Sequence, residues 1–196
     1  MLIYHLVMIK FFTNRELSQA FTINLAKWKR WSREFLPPDP LGGLQSGYAR
    51  QYNLNEAFTV FFAGHLVSNL RYTIPEARQI LHDLHQWLVD HEFYFDFSEN
   101  SSPAPEPVHQ VQNYRIAVIN RKASSGRIYG FSYRIRAIFS VEPLEAGDAK
   151  ALHECFQETV LDPPDDMAGQ RVAESYCILN ISALRRNFLN CLQNIG

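Results

Sequence analysis

The apolar positions along this chain follow two periods, and the change between them falls near its middle. Up to about residue 90 they recur at three- and four-residue spacing, the stripe of amphipathic helices. Beyond residue 110 alternation dominates, the mark of half-buried strands. In the first regime Thr13 and Glu16 form a capping box that opens a short helix over 14–20, with Leu17 and Ala20 facing inward. Residues 21–24 are a turn, and Asn24 or Thr22 caps a second helix over 25–34. Pro37, Pro38 and Pro40 stop that helix, and Gly42 and Gly43 open a turn. Residues 45–52 predict a small hairpin. Asn53 or Asn55 caps a third helix reaching about residue 69, rich in Phe58, Phe61, Phe62, Leu66 and Val67. Thr73, Pro75 and Glu76 start a fourth, running to about residue 90, with Ile80, Leu81, Leu84, Trp87 and Leu88 at core spacing. Residues 2–12 read as a strand or an ordered arm, and the aromatics of 91–97 as a strand or the frayed end of the fourth helix.

In the second regime residues 111–121 and 127–141 predict two strands joined by a turn at 122–126. Residues 147–160 carry Leu152, Cys155, Phe156 and Val160 at helical spacing and predict a helix. A short strand over 176–181 and an amphipathic helix over 182–192, with Leu184, Phe188, Leu189 and Leu192, close the chain. The polar stretch 98–107 holds three prolines and no apolar anchor, so it reads as a linker. The predicted class is α+β: a helical domain over 1–97, a linker over 98–107, and a small α+β domain with an antiparallel hairpin over 108–196.

Charge sharpens this division. The whole chain is at −1, but residues 1–75 hold eight Lys/Arg against four Asp/Glu, so that part is +4 and the remainder −5. A basic head on an acidic body is the asymmetry expected when one region meets nucleic acid. With 46% of residues hydrophobic and 13% aromatic, a packed core is expected and global disorder is not. Three widely spaced cysteines, with no Cys-x-x-Cys pair, disfavour a disulfide framework or thiolate metal site and suit a reducing cytoplasm. The apolar start, MLIYHLVMIKFF, has no basic leader or small-residue cleavage signal and is interrupted by Lys10; neither a signal peptide nor a membrane span is expected.

The candidate chemistry concentrates in the second helix, L-A-K-W-K-R-W-S-R. Trp28 and Trp31 are three apart and share a face that needs a core. Lys27, Lys29, Arg30 and Arg33 occupy the remaining arc and need a counter-charge, which a duplex phosphate backbone supplies. The alternative is an ordinary amphipathic helix whose bases are merely solvated. The order R-E-L-S-Q-A-F-T-I-N, W-K-R-W-S-R-E-F-L-P-P, G-Y-A-R-Q-Y, N-L-N-E-A-F, Y-T-I-P-E-A-R-Q-I-L resembles the DNA-binding head of MerR-type regulators over about 12–88. Leu36, Pro37 and Pro38 match the family's G-L-L-P-P, with Phe35 in place of its glycine. Gly47, Tyr48, Arg50 and Tyr52 match its wing, with Ala49 as one extra residue, and 72–81 match its last helix. The long coiled-coil helix of that family has no counterpart after residue 90, and its metal-sensing cysteine set is missing.

The resemblance implies a winged helix-turn-helix that reads double-stranded DNA. Helix pair and wing together nominate Thr13, Thr22, Asn24, Lys27, Lys29, Arg30, Arg33, Gly47, Tyr48, Arg50 and Tyr52 as DNA contacts. The expectation is a cytoplasmic transcriptional regulator. The part over 108–196 is expected to make a homodimer or to answer an unknown small-molecule or protein effector. The apolar stripe of the closing helix, with Ile128, Phe131, Ile135 and Ile138 of the hairpin, is the candidate interface. The alternative is a protein-interaction adaptor whose head no longer binds DNA. His82, His85 and His91 share a helix but lack a further ligand in sequence. Asp165 and Asp166 are adjacent and point apart, and the R-K-A-S-S-G-R turn reads as a hairpin turn before a phosphate cradle. No Walker loop, dinucleotide fingerprint or nucleophile–base order is present, so neither catalysis nor a cofactor is expected.

Overall fold

The computed structural model describes residues 11–39, 49–94, 113–122, 128–146, 149–161, 176–193 and 195. The predicted arm over 2–12 (all but Phe11 and Phe12), Gly47 and Tyr48, the linker 98–107, most of the turn over 122–126 and the Asp165–Asp166 pair lie outside the described residues. The chain divides into two compact units, one of Met1–Ser102 with Arg185–Gly196, the other of Pro103–Leu184. Among the described residues no helix is long and apolar enough to cross a membrane.

In the first unit β1 (Phe12–Thr13) leads directly into α1 (Asn14–Ala20), α2 (Leu25–Phe35), β2 (Gln51–Tyr52), α3 (Leu54–Ser68) and α4 (Ile74–Asp90). Three capping boxes start three of these helices. Thr13 pairs with Glu16, Asn53 with Glu56 and Thr73 with Glu76, each reciprocally satisfying two orphan amides of the first turn. Asn24 caps α2 by accepting from the amides of Ala26 and Lys27. The ends are less ordinary. At the end of α1, Ile23 donates to Ser18 O at 2.8 Å and Thr22 to Gln19 O at 3.1 Å, a Schellman pattern whose left-handed position is Thr22 at φ 53°. Glu92, at φ 57°, fills the same position after α4. Neither is the glycine that adopts this conformation without cost.

Of the segment 45–52, expected as a small hairpin, only residues 49–52 are described. β2 pairs antiparallel with β1, Tyr52 opposite Phe12, so a segment far along the chain is tied back to the entry of α1. The core forms where α2, α3 and α4 meet, with Trp28, Phe58, Phe62, Leu66, Ile80, Leu84 and Leu88 all fully or nearly fully buried. Trp31 approaches α3 so closely that a Cβ built on Gly64 would lie 2.5 Å from its Cε3 and 2.9 Å from its Cη2.

The second unit is a four-stranded antiparallel sheet in the order β5-β4-β3-β6, from β3 (Asn113–Lys122), β4 (Ile128–Ala146), β5 (Ala149–Leu161) and β6 (Tyr176–Asn180). Here the prediction of a helix over 147–160 is corrected. The segment is β5, paired with β4 from Tyr133–Leu161 to Ala146–Ala149. Spacing suggested a helix, but a long neighbour satisfies every other backbone group of the segment through the ladder, and strand preference is set by such context. The two ladders put Ile116, Val118, Phe131, Tyr133, Ile135 and Leu179 on one buried face. The opposite face carries Arg134 and Arg136 with exposed Phe156, Val160, Tyr176 and Ile178.

The closing helix, α5 (Ile181–Gln193), follows β6 without a loop, capped by Asn180 Oδ1 on the amide of Ala183 at 2.9 Å. Its residues divide between the units, Ile181–Leu184 with the sheet and Arg185 onward with the helices. Phe188 is fully buried against Phe21, Phe58 and Phe61, with ring centroids at 5.4, 5.2 and 5.5 Å. The apolar stripes nominated for a dimer interface are therefore mostly spent inside the chain: Leu184, Phe188 and Leu192 are buried, as are Phe131, Ile135 and Ile138.

Two outcomes follow for full-length protein in urea or thermal unfolding. Gly64→Ala drives a methyl into the Trp31 ring and should destabilise by about 1–3 kcal/mol, the usual cost of overpacking. Phe188→Ala should cost about 3–5 kcal/mol, whereas Leu189→Ala, at a half-exposed position of the same helix, should be far milder. Equal effects at 188 and 189 would contradict the packing of α5.

Candidate nucleic-acid interface

The candidate surface begins with the orientation of α2. Trp28, Trp31 and Ser32 are its buried residues. At about 100° per residue, that places Ala26, Lys29, Arg30 and Arg33 together on the opposite arc and Lys27 on a flank. All four bases are exposed. Lys27 Nζ lies 4.9 Å from the Trp31 ring centroid, a cation–π contact that holds it to the side. Among the described residues Lys29, Arg30 and Arg33 make no ion pair with an acid. The single acid of α2, Glu34, is engaged elsewhere: its carboxylate and its carbonyl accept from Arg78 of α4, at 2.6 and 2.8 Å. The basic arc is thus left unneutralised by its own helix.

A groove of about 940 Å³ runs beside this arc. Its lining includes Thr13, Asn14, Arg15, Lys29, Arg33, Asp39, Arg50 and Tyr52. Four cations against one acid make it a predominantly positive concave surface, suited to a phosphate-bearing partner. Arg15 was not singled out from the sequence. Only the fold brings it beside Lys29 and Arg33, since α1 and α2 are joined by the tight turn at 21–24.

The other nominated residues do different work. Thr13 is occupied by its capping box, its amide and hydroxyl both donating to Glu16 Oε2. Asn24 spends its carbonyl oxygen on the amides of Ala26 and Lys27. Thr22 is exposed at the turn in its left-handed conformation. Tyr52 is only 1% exposed, and its hydroxyl lies 2.6 Å from Asn14 Oδ1 and 2.7 Å from Ser32 Oγ. Burial pushes the Tyr52 phenol above its usual range, against the opposing pull of the Ser32 hydrogen bond and the Arg50 charge. This phenol is a buried strut between β2, α1 and α2. Arg50 is half-buried and bonded to Pro37 O and Glu56. Gly47 and Tyr48 lie outside the described residues.

The histidines of α4 do not converge. His82 and His85 are exposed, while His91 stacks on Trp87 at 4.2 Å with its Nδ1 2.9 Å from Trp87 O. Among the described residues no group of three or more His, Cys, Asp or Glu side chains is placed to hold a metal ion. What sequence reasoning missed was the polar bracing: Tyr52 with Asn14 and with Ser32, Arg50 with Glu56, and Arg78 with Glu34. The four pairs are separated by 38, 20, 6 and 44 positions, at no helical or strand period.

No family model matches the chain, and no curated protein or solved structure matches it either.

The strut can be tested by removing one atom. Tyr52→Phe keeps the ring but leaves the Ser32 hydroxyl, 2% exposed, without that partner. It should destabilise full-length protein by about 1–3 kcal/mol in chemical unfolding, with little change in helix content. Stability equal to the parent would show that the phenol contributes nothing to holding α2.

Proposed function

We propose that this protein is a sequence-specific, double-stranded DNA-binding transcriptional regulator. In this reading α1, the 21–24 turn and α2 are a helix-turn-helix of the MerR type, with α2 as the helix that enters the major groove. One observation carries it: burial of Trp28 and Trp31 directs Lys29, Arg30 and Arg33 outward, with no acid paired to them among the described residues. A solvated helix face usually intersperses both signs; this one has a single acid, and Arg78 holds it.

The proposal extends to a homodimer, because one head of this kind reads few base pairs and specificity calls for two copies on a two-fold site. The Pro103–Leu184 unit is the proposed seat of dimerisation and of the response to a small-molecule or protein effector. Its exposed Phe156, Val160, Tyr176 and Ile178 support that role. The proposed setting is the cytoplasm, in keeping with three free cysteines.

The test is selection from random duplex DNA with full-length protein, followed by affinity measurements over a salt series. Arg30→Ala should leave thermal unfolding unchanged and weaken binding. A base-edge contact appears as a loss of about 1–3 kcal/mol of discrimination at one position. A phosphate contact appears as a uniform loss with the salt slope reduced by about one. Affinity unchanged by Arg30→Ala across the salt series would remove α2 from the groove, and a full-length protein that selects no duplex would favour the adaptor reading.

A further inference from the structure

We infer that Arg50, although it occupies the wing position of a phosphate ligand, is a positioning residue: it clamps together the two ends of the segment that follows α2 and fastens both to α3. This rests on the DNA-binding reading above.

The guanidinium is held on three sides. Nη1 donates to Pro37 O at 2.9 Å, joining two points thirteen residues apart in the chain. Nη2 reaches Glu56 Oε1 at 3.1 Å. Its Cζ sits 5.5 Å from the Tyr52 ring centroid. The side chain keeps 14% of its exposure. Each neighbour is itself fixed. Glu56 Oε2 accepts from the Asn53 amide at 3.0 Å as part of the α3 capping box, so one carboxylate oxygen caps the helix and the other takes the guanidinium. Tyr52 is pinned by Asn14 and Ser32. Pro37 lies just past the end of α2, which Leu36 caps.

The contrast with α2 is chemical. Arg30 and Arg33 are exposed and make no ion pair with an acid among the described residues, whereas Arg50 has its charge met by a carboxylate and its fork matched to two acceptors of fixed position. A planar fork bridging two acceptors is the use for which arginine differs from lysine. To reach a phosphate, Arg50 would have to leave both. Held where it is, it joins the end of α2 to the start of α3, beside the groove that it lines together with Lys29 and Arg33.

The experiment combines a double-variant cycle with a salt series, on full-length protein. Glu56→Gln retains one acceptor oxygen for the capping box, which takes glutamine as well, and removes both the charge and the second acceptor that meets Arg50. Arg50→Ala and Glu56→Gln should each lower the thermal midpoint, and the double variant should lower it no further than the more damaging single change. Arg50→Lys keeps the charge without the fork and should melt like Arg50→Ala. Against the selected duplex both single variants should bind several-fold more weakly, with the slope of log affinity on log salt unchanged. A phosphate ligand behaves oppositely: Arg50→Ala flattens the slope by about one, and Glu56→Gln, which frees the arginine, tightens binding. Additive midpoint shifts, a flattened slope or tighter binding by Glu56→Gln would each overturn the clamp. If the parent selects no duplex, the proposed function fails, and the melting cycle alone decides whether Arg50 is a clamp.

Discussion

Burial of two tryptophans three residues apart governs the first unit. Trp28 is fully enclosed and Trp31 nearly so. Large aromatic side chains bury far more apolar area than the bases around them, and exposing one costs about 3–5 kcal/mol by truncation analogy. That preference sets the rotation of α2 about its axis. Once it is set, the bases have nowhere to go but outward. Gly64 completes the arrangement by omitting the one carbon that would keep the Trp31 ring off α3. The aromatic cluster then spreads from Trp28 to Phe21 at 5.6 Å, and from Phe21 to Phe61 and Phe188. The turn between α1 and α2 is thereby anchored in the same apolar mass as the helices it joins.

Apolar packing fixes rotation but leaves elements free to slide, and a few directional bonds remove that freedom. The Tyr52 hydroxyl meets Asn14 at the start of α1 and Ser32 inside α2. Arg50 joins the exit of α2 to the entry of α3. Arg78 ties the end of α2 to α4. The last of these is an exposed pair and contributes little stability. Its consequence is electrostatic, because it takes Glu34 out of the field around the basic arc.

The second unit solves a different problem. Its sheet buries one face and leaves on the other a ladder of charges that largely satisfies itself, Arg115 with Glu154 at 2.9 Å and Arg136 with Glu158 at 2.8 Å. Arg136 also covers Phe156, 4.4 Å from its ring centroid. Cross-strand pairs of this kind stabilise a sheet locally and discourage unselective association of its open face. Among the described residues the pairing of β4 with β5 continues past Asn113–Ile138, the last pair between β3 and β4 on that side.

What the sequence determined by itself is what depends on near neighbours. The capping boxes at Thr13 and Thr73, the Asn24 cap, the inward tryptophans and the α4 stripe all rest on residues three or four apart, whose geometry is that of the helix itself. The strands β3 and β4 were legible from alternation alone, whereas Tyr176 and Ile178 of β6 are exposed. The tertiary structure decided whatever needed a distant partner. Residues 149–161 carry a spacing compatible with a helix, and only β4 makes them a strand. Phe188 belongs to a stripe that any apolar surface could cover, and only the fold delivers Phe21, Phe58 and Phe61 to it. Arg50 and Tyr52 have the residue types of ligands, and only Glu56, Pro37, Asn14 and Ser32 make them supports. A side chain's type limits which bonds it can form, but the partner it meets is set by the backbone path, which local spacing does not encode.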